Sequence, residues 1–232
     1  MRLFFSCLYL LSFYNLAAQE EIKIKESPFI AVDSLYREDQ FYFGFTLNTL
    51  QNKPNQLDQN SFSTGFSAGF LRDMPINKLR TVAIASGIGF TYNNYIQNLN
   101  ISENGSTRDY SIITTSNYSK NRFSQLFVDV PIEFRWRTST YTSYKFWRIY
   151  GGLKFSYLLY DNYIYIDDNI QKSITNNPDF DKLQYGIYLA AGYNTFNLYA
   201  YYGLNPLFKS AQIDGNKLAM QSLNLGLIFY IL

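Results

Sequence analysis

Residues 126–137 read LFVDVPIEFRWR, and this stretch decides the fold. Asp129, Glu133, Arg135 and Arg137 share one parity, while Leu126, Val128, Val130, Ile132, Phe134 and Trp136 share the other. Period-two alternation is the mark of an extended strand whose two faces meet different surroundings. One of those surroundings must accept bulky apolar groups and the other must accept ions.

The same alternation recurs along the chain, and helix signals do not. Seven further candidates are QFYFGFTLNTL (40–50), SFSTGFSAGFL (61–71), TVAIASGIGFTYN (81–93), FWRIYGGLKFSYL (146–158), QYGIYLAAGYN (184–194), FNLYAYYGL (196–204) and QSLNLGLIFYIL (221–232). Each has about the length of a tilted membrane strand. The connections 51–60, 96–122, 160–182 and 205–219 are long and polar, whereas 72–80, 138–145 and 194–195 are shorter.

Composition narrows the setting. There are 22 Tyr and 20 Phe, yet mean hydropathy is −0.18, so apolar residues are interleaved with polar ones. Beyond the N-terminus no run of about 18 apolar residues occurs, which excludes a bundle of membrane helices. At the N-terminus Arg2, the apolar LFFSCLYLLSFYNL and the small-residue AAQ read as an export signal, residues 1–19. Cys7, the single cysteine, lies inside it, so disulfides do not hold the mature chain together. Signal removal leaves 19 basic against 18 acidic residues, a net charge of +1, which is no nucleic-acid footprint. The chain has no histidine, which excludes Ser-His-Asp and Cys-His catalysis, histidine-based zinc sites and haem held by histidine. No cofactor is expected.

Alternation alone fits two barrels of opposite polarity, a soluble lipocalin-like barrel or a membrane barrel. Residue size on the polar face separates them. That face is rich in Gly, Ala, Ser and Asn and poor in Lys and Glu, which suits a narrow lumen rather than a solvated exterior. The expectation is an all-β, eight-stranded antiparallel up-and-down transmembrane barrel over residues 40–232. It has long extracellular loops and short periplasmic turns, and the charged segment 20–39 is its periplasmic lead-in. Within that lead-in EIKIK is read as flexible, with addition to a partner's sheet edge as the alternative.

Strand-core charges then fall on the hairpin of the fourth and fifth candidates. A turn centred near Tyr141 and Thr142 would set Asp129 opposite Lys154 and Arg135 opposite Arg148, with Glu133 diagonal to Arg148. Two acids and four bases would share one lumen wall, leaving positive charge for water, tyrosine hydroxyls such as those of Tyr199 and Tyr201, or carbonyls. The same register sets Trp136 beside Trp147 as an aromatic girdle near the periplasmic rim. Pro131 lacks an N–H in a sheet without a free edge, so a bulge or irregular ladder is expected there.

These charges read as structural packing. Two carboxylates, Asp129 and Glu133, invite acid–base chemistry, but neighbouring bases favour ion pairs and the enclosed position denies a substrate. DNYIYIDDN, with Asp161, Asp167 and Asp168, lacks the spacing of a calcium loop and reads as solvated. NGS at 104–106 reads as a turn. At the end of the chain Asn224, Gly226, Phe229 and Ile231 follow a polar-x-Gly-x-x-apolar-x-apolar pattern like the terminal-strand signal of the barrel-assembly machinery. The final Leu232 departs from the usual aromatic terminus.

GFLRDMPINKLR, VDVPIEFRWRTST, YKFWRIYGGLKFSY and LNLGLIFYIL together resemble the PorT (SprT) family of Bacteroidota outer-membrane proteins, from about Asp39 to Leu232. The resemblance implies residence in the cell outer membrane and a place in type IX protein secretion, with gliding in some species. It brings no catalytic or cofactor motif. The partners it implies are outer-membrane lipid, the assembly machinery and other secretion components. A side-chain-filled lumen makes an accessory or assembly role the expectation. A small porin-like transport or ligand-binding barrel is the alternative.

Overall fold

The computed structural model describes residues 37–59, 61–105, 107–114, 118–139 and 145–231. The export signal and all of the lead-in before Arg37, EIKIK included, lie outside the described residues. In chain order the strands are β1 (Gln40–Gln51), β2 (Thr64–Pro75), β3 (Val82–Ile96), β4 (Leu99–Asn104), β5 (Thr107–Ile112), β6 (Tyr118–Arg137) and β7 (Trp147–Asp167). There follow β8 (Gln171–Thr175), β9 (Leu183–Tyr193), β10 (Phe196–Gly203), β11 (Gln212–Ile213), β12 (Asn216–Lys217) and β13 (Gln221–Ile231).

Eight of these close an antiparallel barrel, in the order β6-β3-β2-β1-β13-β10-β9-β7, with β7 returning to β6. Paired residues lead from Asp73 through Ala85, Glu133, Gly152, Tyr188, Tyr201 and Asn224 to Asn48. The β1–β2 register, which sets Gln40 opposite Leu71, places Glu38 opposite Asp73. Asn48 and Glu38 are ten residues apart, so the barrel has eight strands and a shear of ten, a combination that tilts strands by roughly 40°.

The polarity is that of a membrane barrel. Phe66, Leu189 and Leu225 point outward, 55%, 53% and 49% exposed, while Asp129 and Arg148 point inward at 0% and 3%. Outward aromatic residues ring both ends: Trp136, Trp147, Tyr193 and Phe196 at the short-turn end, and Tyr92, Tyr157, Tyr160 and Tyr185 at the long-loop end. From Trp147 to Tyr157, at ~3.3 Å per residue and the tilt above, the apolar band is about 25 Å tall, the height such barrels show.

Above this band the polarity inverts, which the sequence reading missed. β6 and β7 continue past it, 20 and 21 residues long. Leu159 has no partner between the pairs Leu126–Tyr160 and Phe127–Leu158, and this bulge turns the following β7 residues over, so that Asp161 and Tyr163 point inward. The segments read as polar loops fold into ordered hairpins, β4–β5 and β11–β12, and the added strand β8. Their apolar residues meet over the barrel mouth. Phe180 stacks on Phe208 at 4.5 Å, and Tyr110, Phe123, Leu99, Ile101, Leu207 and Met220 pack around them. Asn104 and Gly105 of NGS lead into the β4–β5 connection, with Asn104 paired to Thr107 and Gly105 at φ +62°.

At Pro131 the irregular ladder expected there is present, without a bulge. The register does not shift there, and no bulge forms: Pro131 faces Lys154 on β7 in regular pairing. The irregularity lies on the β3 side, where the ladder lapses between the pairs Ser86–Ile132 and Gly89–Asp129. The missing N–H of Pro131 falls in that gap, and the Ser86 hydroxyl donates to the Pro131 carbonyl at 3.0 Å.

Candidate functional site

The six charged residues that the sequence placed in the lumen all point into it, since Asp129, Glu133, Arg135, Arg137, Arg148 and Lys154 are buried. Their register is two residues away from the expected one. Asp129 faces Ser156, Arg135 faces Tyr150 and Arg137 faces Arg148. A two-residue shift keeps every side chain on its face, so the polarity survived an error in turn position. Lys154 still reaches Asp129 diagonally, with Nζ 3.7 Å from Oδ2. The Trp136–Trp147 pairing did not survive. Trp136 faces Ile149, and Trp147 faces Tyr193 with ring centres 5.4 Å apart.

The larger correction concerns charge balance, because the lumen holds two acids that the hairpin does not supply. Asp73, on β2, receives Nη1 and Nη2 of Arg137 at 2.8 and 2.9 Å and Nη1 of Arg135 at 3.0 Å. Glu38, just before β1, lies 3.5 Å from Arg137 Nη1, and its carbonyl accepts Arg135 Nη1 at 3.1 Å. Arg135 also donates Nε to Glu133 at 2.6 Å, and Arg137 donates Nε to the Arg80 carbonyl at 3.0 Å. Four acids thus equal four bases in number, with Arg135, Arg137 and Lys154 each in an ion pair, so the net positive charge foreseen for one wall is absent.

Asp73 was legible in principle. The inner face of β2 runs Gly65, Ser67, Gly69, Leu71, and two more residues along the same parity give Asp73. Ending the strand at Leu71 hid it, and Glu38 likewise continues the inner parity of β1 through Gln40 and Tyr42.

Nearer the middle, Asp129 accepts the hydroxyls of Thr91 and of Ser156, the latter at 2.6 Å. The Lys154 ammonium sits 4.5 Å above the Tyr201 ring. Hydroxyls do reach the ions, but from Tyr188 and Tyr230, which donate to Glu133 at 2.9 and 3.3 Å, rather than from Tyr199 and Tyr201. Arg148 lies against aromatic faces, 4.5 Å from the Phe146 ring and 5.5 Å from that of Tyr230. Two voids remain along the lumen axis, about 20 and 10 Å³, and Lys154 lines both. Each holds about one water molecule. The apolar cap lies above them.

The terminal-strand pattern spans both faces of β13. Asn224 points into the lumen, while Phe229 and Ile231 point outward, Phe229 packing on Phe196 at 5.1 Å. Gly226 lies at the seam that joins the first and last strands, opposite Thr46, where a Cβ would run into the Phe45 carbonyl. At the cap, Tyr110 donates to Asp179 at 2.8 Å, and burial raises its phenol above the ordinary value, so it remains a donor. Asp167 receives the amides of Asn169 and Ile170 at 2.8 and 2.6 Å; these bonds, that of Asn169 foremost, hold it below the usual carboxylate range. Asp161 instead receives the Asn177 amide at 2.9 Å, so Asp161 and Asp167 of DNYIYIDDN have separate structural partners. Among the described residues no group of acidic side chains is arranged to hold a metal ion.

Two open clefts of about 530 and 510 Å³ flank the β5 edge on the long-loop side, and Tyr110 and Asp214 line both.

Residues 17–209 match the family described as "Outer membrane protein beta-barrel domain". No curated protein matches the chain. Among solved structures, a chain from work titled "Asymmetric conductivity of engineered proteins" is similar over 84% of this chain and 100% of its own length. Its identity is 9% and its TM-score 0.22.

Proposed function

The chain belongs to the outer membrane protein beta-barrel domain family and resides in the outer membrane, and from that premise we propose that it is a non-enzymatic accessory or assembly component of a type IX secretion system. In some species that role extends to gliding motility. The pathway comes from the resemblance of VDVPIEFRWRTST, YKFWRIYGGLKFSY and their companions to the PorT family. The position within the pathway comes from the lumen. The two axial voids lined by described residues admit about one water each, too little for a polypeptide, which supports a role other than the translocation pore. It acts through its surfaces: the folded cap at the long-loop end, the short-turn rim, and the lead-in that Glu38 ties to the arginines of the lumen.

Its partners are then outer-membrane lipid, the barrel-assembly machinery during insertion, and other secretion components, with no nucleic acid and no cofactor. The test is a deletion strain, in which secretion cargo should accumulate in the periplasm; normal export would refute the role. A small ligand-binding barrel is the second reading, favoured by the two clefts beside β5, whose volumes fall in the range of ligand sites. A ligand held there would leave export unchanged in the deletion strain.

A further inference from the structure

The side-chain charges of residues 37–232 divide into three groups by height. The lumen holds four acids and four bases, and the long-loop end holds nine acids and eight bases. Among the described residues the short-turn rim is different, with Arg37, Arg72 and Lys78 against Asp39, besides Arg80 and Lys145, which each have a partner. We propose that this rim is a binding surface for anionic phospholipid headgroups of the facing leaflet, centred on Arg72 and the β2–β3 turn.

Placement argues for lipid. Arg72 lies on the outward face of β2 between Phe70 and Met74, and its side chain is 56% exposed although Asp39 approaches it at 3.3 Å. It pairs across to Ser86, two residues from Ile84, whose outward column leads through Val82 to Trp136. That sets Arg72 beside the outward aromatic ring, at the level where hydrocarbon gives way to headgroups. An arginine there keeps its stem on apolar neighbours and its guanidinium among phosphates. The turn beyond carries the apolar column further, with Ile76 and Leu79 59% and 76% exposed and Lys78 exposed between them. Exposed apolar groups continuous with the lipid-facing belt and interleaved with bases fit a headgroup layer. A protein partner would not require that continuity.

The experiment uses the mature full-length chain, folded in bilayers of equal phosphatidylglycerol and phosphatidylethanolamine, then stripped to its last bound lipids and weighed by native mass spectrometry. Phosphatidylglycerol should be retained in excess, and added salt should reduce the excess. The double variant Arg72→Gln/Lys78→Gln should lower it about five-fold for each charge removed, whereas Lys209→Gln/Lys217→Gln at the other end should leave it unchanged. Heat-modifiable gel mobility verifies that each variant is folded. Equal retention of the two lipids, or an undiminished preference in the rim variant, would overturn the proposal. So would a preference seen only after Glu20, Glu21, Glu26 and Asp33 are neutralised together, since the lead-in would then be the occupant.

Discussion

Replacing Asp73 by Asn tests the charge network most sharply. Asp73 is fully buried and accepts both terminal nitrogens of Arg137 and one of Arg135. Asn keeps the shape but removes the charge and one acceptor oxygen. Arg135 retains Glu133 at 2.6 Å, so most of the loss falls on Arg137, left with Glu38 at 3.5 Å and the Arg80 carbonyl. Breaking a buried ion pair by removing one partner costs about 3–5 kcal/mol. Because Glu38 compensates in part, Asp73→Asn should cost ~3 kcal/mol, the low end of that range. The control is Asp39→Asn, which neutralises the exposed partner of Arg72 and should cost under ~1 kcal/mol. Reversible urea unfolding in phospholipid vesicles gives both numbers, with Trp136 and Trp147, the chain's two tryptophans, as the fluorescent reporters. Adding Arg137→Gln to Asp73→Asn should recover part of the loss, since it removes the stranded cation. If Asp73→Asn and Asp39→Asn proved equal within ~0.5 kcal/mol, a resolution well inside the pair energies compared, the network would not be holding the barrel as described.

Three further outcomes follow from the same coordinates. Leu189→Arg puts a cation on the outward face near the middle of the apolar band and should cost about 2–4 kcal/mol in the same assay. Phe180→Ala removes the centre of the cap and should cost ~3–5 kcal/mol, with faster proteolysis of the long-loop end as its visible sign. The native chain in a planar bilayer should show no stable conductance step, because the axial voids among the described residues are water-sized and an apolar cap lies above them.

The alternation in LFVDVPIEFRWR carried the architecture because side-chain parity is a local property. Eight strands, an outward apolar face and the burial of all six hairpin ions could be read from it without knowing any long-range contact. Register could not be read, because it depends on where the turn between β6 and β7 sits, and nothing in that segment pins a turn to one position. Asp73 was lost to a strand end. β2 looked finished at Leu71 because Arg72 interrupts its apolar outward column, and β6 looked begun at Leu126 because its extension above the membrane band has no apolar outward face. The cap was lost for a related reason. Phe180, Phe208 and Tyr110 come from three separated segments, each polar on average, and only their meeting makes a core. Of the candidate site, therefore, the hairpin residues were visible, but the two acids that neutralise them were not.

The account depends most on which face meets lipid. Single cysteines at Ile187, Tyr188, Leu189 and Ala190, in a chain whose one native cysteine, Cys7, has been replaced, would each carry a fluorophore and be exposed to a lipid-borne quencher. Quenching should be strong at 187 and 189 and weak at 188 and 190, following the alternation along β9. Strong quenching at 188 and 190 instead, or no alternation at all, would contradict the assignment of lipid outside and ions within.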